Sequence, residues 1–118
     1  MRWRLRSLVL IAGLTACKSA SAREQDKLER SVSWLSTVQE VGRAWSENRV
    51  PARYAERTFD EAQSELTRAG EVEAARRVTD VAEVLRRRDR ARLPNALDLL
   101  AGPRDGLQNR LEAMKRAP

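Results

Sequence analysis

Side chains that commonly carry out chemistry are scarce in this chain. Its 118 residues include a single cysteine, Cys17, and no histidine. One thiol cannot form an internal disulfide, and the lack of histidine excludes Ser-His-Asp triads and the usual histidine-containing zinc sites. The five glycines are scattered, so the sequence has no glycine-rich phosphate-binding loop. Cys17 is therefore the residue whose chemistry most needs an explanation.

The other candidates for catalysis are 17 acidic residues. Most of them have a basic residue three or four positions away, which is the spacing of ion pairs on an exposed helix face. These pairs include Glu40 with Arg43, Arg57 with Glu61, Glu73 with Arg77, Glu83 with Arg87, and Glu112 with Arg116. Nothing singles out a catalytic dyad. The sequence therefore predicts a protein that is not an enzyme and that uses neither a cofactor nor a metal.

The residues before Cys17 have the pattern of a secretory signal peptide. Three arginines lie within the first six residues, and nine residues from Leu8 to Ala16 form an apolar run that ends in small side chains. Nine residues are too few for a transmembrane helix, which takes roughly 20. The pattern therefore predicts export of the protein across a membrane.

The residues Leu14-Thr15-Ala16-Cys17 resemble the lipobox of bacterial lipoproteins, a resemblance that covers the first 17 residues. In that family a diacylglycerol is attached to the cysteine sulfur and the signal peptide is cut in front of the cysteine. The resemblance implies cleavage between Ala16 and Cys17, lipidation of Cys17, and a periplasm-facing protein of the cell envelope. Lys18, where an aspartate would favour the inner membrane in that family, implies the outer membrane.

Two alternatives to the lipoprotein stay open. Ala20-Ser21-Ala22 has the form of an ordinary signal-peptidase site, and cleavage there would release a soluble protein that begins at Arg23. The apolar run could instead be a buried helix of a cytosolic protein. The position of the single cysteine favours lipidation over both.

The charge of the chain does not indicate a nucleic-acid partner. The formal net charge is +6, but three of the 23 basic residues lie in the predicted signal peptide, which leaves 20 against 17 acidic residues. So small an excess does not require a polyanion, and an exported protein rarely meets nucleic acid. The predicted partners are the membrane, through acyl chains on Cys17, and another envelope protein.

Apolar residues recur at spacings of three and four from residue 24 onward, which predicts an all-α fold. We expect a signal peptide at 1–16, the lipidated cysteine and a short polar tether at 17–23, and a helical domain at 24–118. Three or four helices of about 20 residues with short connections predict a small antiparallel bundle.

Proline and glycine mark the expected helix boundaries. The first helix should run from Glu24 to about Glu47, with Pro51 in the first turn of the second. Gly70 favours a turn that ends the second helix. The helical spacing of apolar residues continues without interruption across Gly70, so one long helix is the alternative. A segment that opens at Pro94 is interrupted at Gly102-Pro103, by either a kink or a break.

Two groups of residues are candidates for contact with a partner. The first is an arginine-rich segment that would face anionic lipid or an envelope polymer, or simply solvent at a helix C terminus: Arg86, Arg87, Arg88, Arg90 and Arg92. The second comprises aromatic residues that would serve as core anchors or as a partner-binding pocket: Trp34, Trp45, Tyr54 and Phe59.

One further resemblance is local. Four residues fall at spacings that resemble the small and large positions of a tetratricopeptide motif: Leu66, Gly70, Ala75 and Ala82. The resemblance covers fewer than 25 residues. Thr79 stands where the motif usually has an aromatic residue, and Arg87 stands where it usually ends in a proline. No second copy is present in the sequence, whereas such repeats need about three copies for stability. It implies peptide or protein binding.

The leading hypothesis is a lipid-anchored envelope protein of non-enzymatic type, acting as a protein-binding adaptor or assembly subunit near the membrane. The alternatives are a binder of anionic membrane or envelope-polymer surfaces through Arg86–Arg92, and a tetratricopeptide-like module.

Overall fold

The computed structural model describes residues 20–117 in full and the backbone course of residues 2–19. The helices are α1 (Arg2–Ser46), α2 (Ala52–Arg68), α3 (Val72–Arg86), α4 (Leu93–Asp98) and α5 (Ala101–Arg116). No strand occurs between residues 2 and 117. The predicted all-α fold is confirmed as a small helical bundle, with α4 as an additional short helix. The lipobox Leu14-Thr15-Ala16-Cys17 lies outside the fully described residues.

The part of the predicted tether that the structure describes is helical. Residues 20–23 continue α1 without a break, and all four side chains are exposed. Alanine and arginine are favourable in helices, and no proline or glycine occurs between Gly13 and Gly42. The helical domain therefore continues as a helix toward Cys17, instead of through an extended linker. Within the described residues, no helix is both long and apolar enough to cross a membrane.

Residues in the left-handed conformation end the first three helices. At Gly70 the backbone φ is 80°, and the amide of Glu71 donates to the carbonyl of Leu66 at 2.9 Å. The same bond pattern follows Asn48 (φ 61°) and Arg88 (φ 54°), at 2.7 and 3.1 Å. These bonds satisfy carbonyls that a helix end leaves open. They confirm the predicted turn at Gly70, so α2 and α3 are separate helices.

The segment that was predicted to open at Pro94 forms two separate helices. Of the two alternatives that the sequence left open, a kink and a break, the structure has the break. The break falls at residues 99–100, between α4 and α5, and not at Gly102-Pro103. Pro103 lies in the first turn of α5, where a helix does not need the missing N–H. The proline therefore starts a helix instead of ending one.

The core takes apolar residues from all five helices. The largest side chains with no exposed surface include Phe59, Leu35, Leu66, Leu85 and Leu100. Much of the remaining core is alanine, contributed by α2 and α3: Ala55, Ala62, Ala74, Ala75 and Ala82. Small side chains let neighbouring helices approach closely but bury little apolar area.

Gly42 of α1 lies against Leu97 of α4. A β-carbon added there would lie 2.7 Å from Cδ2 of Leu97, which is itself buried. A larger residue at this position would therefore require the side chain of Leu97 to move. The contact fixes α4 against the C-terminal half of α1.

Candidate functional site

The arginine-rich segment lies at the end of α3 and in the connection to α4. Four of its five arginines form ion pairs, at 3.7 Å (Arg86 to Asp60), 3.1 Å (Arg87 to Glu83), 3.5 Å (Arg88 to Glu56) and 3.3 Å (Arg92 to Asp89). Asp60 and Glu56 come from α2, so the packing of α2 on α3 supplies half of these carboxylates. The segment is thus close to electrically balanced, which weakens its attraction to an anionic surface.

Arg90, the fifth arginine, contacts the C-terminal end of α1. Its guanidinium carbon lies 4.5 Å from the ring centroid of Trp45, and Nη1 donates to the carbonyls of Ser46 at 3.0 Å and Trp45 at 3.4 Å. Helix-end carbonyls lack partners within their own helix and attract positive charge. Arg90 therefore joins the α3–α4 connection to the end of α1.

We expect Arg90→Lys to destabilise the protein by about 1–2 kcal/mol, because lysine has neither the planar fork nor the stacking surface of arginine. Urea unfolding followed by circular dichroism measures this. The matched control is Arg87→Lys, whose exposed ion pair with Glu83 should account for less than about 0.5 kcal/mol. Equal losses in the two variants would contradict a special role of Arg90.

The contact of Arg90 with Trp45 also places the arginine-rich segment along the molecule. Trp45 lies 25 residues after Ala20 in one continuous helix, a rise of about 38 Å. The arginine-rich segment therefore lies at the end of α1 that is far from residue 20. Because Cys17 precedes residue 20 by only three positions, the segment is also far from Cys17.

The four aromatic candidates fall into different environments. Phe59 and Trp45 are core residues, with exposed fractions of 0% and 3%. Tyr54 is 52% exposed, and Trp34 is partly buried against the core. Two of the four are thus core anchors. Trp45 also lines a surface cavity at the end of α1, and Trp34 lines cavities between α1 and α2.

The residues of the tetratricopeptide-like spacing lie in the α2–α3 hairpin. Leu66, Ala75 and Ala82 are buried, and Gly70 makes the turn. Their spacing is therefore accounted for by the packing of one helix pair.

Two neighbouring cavities between α1 and α2 share Trp34, Glu65 and Arg68. We call their union the Trp34 groove. The first, of about 360 Å³, is also lined by Lys27, Arg30, Ser31 and Ala69. The second, of about 330 Å³, is also lined by Asp60, Glu61 and Ser64. The indole of Trp34 lies where the two cavities meet.

Charge is distributed unevenly along the Trp34 groove. Lys27 and Arg30 lie at the end nearer residue 20, and Asp60 and Glu61 lie at the other end. In the middle, Arg68 Nη1 and Glu65 Oε1 are 2.9 Å apart and neutralise each other. Among residues 20–117, neither Arg30 nor Glu61 has an oppositely charged side chain within 4.0 Å. Lys27 pairs with Glu24 at 3.9 Å and Asp60 pairs with Arg86 at 3.7 Å, so Arg30 supplies the uncompensated positive charge of one end and Glu61 the uncompensated negative charge of the other.

A third cavity, between α3 and α4, is more apolar. It has a volume of about 420 Å³, and Val84, Ala96 and the 43% exposed Leu99 contribute its apolar surface. The arginines at its rim are Arg77, which pairs with Glu73 at 3.1 Å, and Arg92, which pairs with Asp89. Its charges are thus already compensated within the chain.

One buried polar residue was not anticipated from the sequence. Gln39, 7% exposed, donates from Nε2 to the carbonyl of Leu97 at 3.4 Å, and Arg104 donates to its Oε1. A glutamine inside the apolar stripe of α1 is the sequence signal for such a site. The contacts join α1 to α4 and α5, so the role of Gln39 is structural.

Over the described residues, no three or more acidic, cysteine or histidine side chains converge to hold a metal ion. Comparisons of the chain with known protein families, with curated proteins and with solved structures found no match. The N-terminal residues and the surface of the bundle are therefore the features from which a function can be proposed.

Proposed function

We propose that this chain is a non-enzymatic, lipid-anchored protein of the bacterial cell envelope that binds another envelope protein near the membrane. The observation that carries the proposal is the lipobox-like Leu14-Thr15-Ala16-Cys17 directly after an apolar run. Two or three acyl chains on Cys17, each methylene contributing about 0.8 kcal/mol, would hold the protein durably in a bilayer. Lys18 favours the outer membrane for this anchor, and the domain would face the periplasm.

The domain in this proposal is an antiparallel bundle. Two ion pairs between helix ends support that arrangement. Glu29, early in the described part of α1, lies 3.5 Å from Lys115 at the end of α5, and Glu56, early in α2, lies 3.5 Å from Arg88, just past the end of α3. An antiparallel bundle brings the α2–α3 turn and the end of α5 to the side of the molecule nearest Cys17.

Protein binding is the proposed activity because the chain offers contact surfaces and few reactive groups. The sequence has no histidine, and its one thiol is the proposed site of lipidation. The surface carries the Trp34 groove, which combines an indole with charges of both signs. Interfaces commonly use such aromatic anchors surrounded by polar groups.

The arginine-rich segment is a less well supported binding surface. Its ion pairs with carboxylates of α2 and α3 offset most of its charge, and it lies about 38 Å along α1 from residue 20. A domain anchored at Cys17 would hold these arginines away from its own membrane.

Co-purification tests the adaptor function. The full chain, with a C-terminal tag, is cross-linked in intact cells and extracted in mild detergent, and bound proteins are quantified by mass spectrometry. We expect one envelope protein in near-stoichiometric amount. The control is a lipoprotein of similar size with the same tag. The adaptor function is contradicted when no protein is enriched over that control.

A further inference from the structure

We propose that the Trp34 groove binds a short extended peptide segment of the partner, with an acidic side chain at one end and a basic side chain at the other. This inference rests on the proposed protein-binding function and assigns its surface. It follows from the position, length and charge of the groove.

The charges of the groove indicate the charges of the ligand. Arg30 at one end would face the acidic side chain of the ligand, and Glu61 at the other end would face its basic side chain. Their neighbours Lys27 and Asp60 already pair with Glu24 and Arg86. Arg30 and Glu61 have no oppositely charged partner within 4.0 Å among residues 20–117, so both are available for new ion pairs. A ligand of one charge sign would be repelled at one end of the groove.

The length of the groove sets the spacing of the two charges in the ligand. Along α2 the groove extends from Asp60 to Ala69, nine steps of the helix, or about 13–14 Å. An extended peptide rises about 3.3 Å per residue, so roughly four steps, or about five residues, cover this length. The two charged side chains would therefore be four positions apart in the ligand, which also places them on the same face of the extended chain.

The middle of the groove is formed by the three residues that both cavities share, Trp34, Glu65 and Arg68. Trp34 is held by its packing against the core, so its indole presents a fixed surface that costs little conformational entropy on binding. Arg68 and Glu65 are occupied with each other at 2.9 Å and leave this part of the groove neutral. The central residue of the ligand, which lies on the same face as the two charged side chains, should therefore be apolar and in contact with the indole.

Nuclear magnetic resonance of the full chain in mild detergent tests the proposal. The indole N–H signal of Trp34 is assigned by its loss in Trp34→Phe. The probes are two blocked pentapeptides with Ala-Leu-Ala in the middle, one with Glu first and Lys last and one with the reverse order. A third pentapeptide has Gln at both ends. At least one charged peptide should shift the Trp34 signal, with a dissociation constant on the order of 1 mM, and the Gln peptide should not.

Variants then assign the two ends. Arg30→Gln and Glu61→Gln should each weaken binding about threefold to fivefold, as expected for one exposed ion pair. The matched control is Arg43→Gln, an exposed arginine of α1 outside the groove, which should leave binding unchanged. The double variant Arg30→Glu with Glu61→Arg should reverse which of the two charged peptides binds more tightly. A purely structural effect cannot produce that reversal.

Three results would overturn the proposal. One is that no charged peptide shifts the Trp34 signal more than the Gln peptide does. Another is that Arg43→Gln weakens binding as much as Arg30→Gln. The third is that inorganic phosphate shifts the signal while the peptides do not, because the groove would then be an anion site. If co-purification recovers a partner but no peptide shifts the Trp34 signal, the adaptor interface lies on another face of the bundle. If a charged peptide shifts the signal but co-purification recovers no partner, the adaptor function is refuted and the groove remains a peptide site.

Discussion

Cys17→Ala should move the protein from the membrane fraction to the soluble fraction of the cell. The proposed anchor consists of acyl chains on the sulfur of Cys17. A single acyl chain binds a bilayer only with an association constant of about 10⁴ M⁻¹, and a second chain makes attachment durable. Removing the sulfur removes all the chains, so the membrane-bound fraction should fall by more than about 100-fold. Fractionation followed by a carbonate wash of the membranes measures the change.

The matched control is Ser19→Ala, which changes a neighbouring small residue and should leave the protein in the membrane. The Cys17→Ala variant should also retain the apolar run of its signal peptide, because cleavage in front of residue 17 depends on the cysteine. That run is nine residues long, against roughly 20 for a spanning helix, so it should not hold the protein through the wash.

Mass spectrometry of the native N terminus separates the alternatives. An acylated Cys17 at the N terminus supports the lipoprotein. An unmodified N terminus at Arg23 in a soluble protein supports ordinary secretion, and an intact Met1 supports a cytosolic protein. Either of the last two results would contradict the anchor.

Local sequence signals predicted the ends of α1 and α2 closely. They placed the start of the first helix at Glu24, where α1 begins at Arg2, and the last break at Gly102-Pro103 instead of residues 99–100. Gly70 ends α2 with φ 80°, where a side chain would be strained, and Asn48 ends α1 in the same conformation. The ion pairs Glu73 with Arg77 and Glu83 with Arg87, each at 3.1 Å, follow from spacing on one helix. All of these features depend on residues within one turn of each other, which a sequence displays directly.

Features that depend on the packing of two helices were not predictable in the same way. The pairing of Arg86 with Asp60 requires the rotation of α3 against α2, and no spacing along the chain encodes it. The Trp34 groove likewise depends on which residues of α2 face α1. The arginine-rich segment therefore looked like an unopposed cationic surface, although carboxylates from a neighbouring helix balance much of it.

Phe59→Ala should destabilise the protein by about 3–5 kcal/mol, the usual cost of removing a fully buried aromatic side chain. A domain of this size is stable by about 5–15 kcal/mol, and the alanine-rich core offers few large side chains to close the cavity. Urea unfolding followed by circular dichroism measures the free energy of unfolding.

Tyr54→Ala is the matched control, since it removes an aromatic side chain from the same helix. Tyr54 and Phe59 are five residues apart, so their side chains leave α2 about 140° apart, and Tyr54 is 52% exposed. Its removal should change the free energy of unfolding by less than about 0.5 kcal/mol. Equal losses in the two variants would show that Phe59 is not the core anchor of α2. A large loss for Phe59→Ala alone assigns Phe59 to the stability of the core.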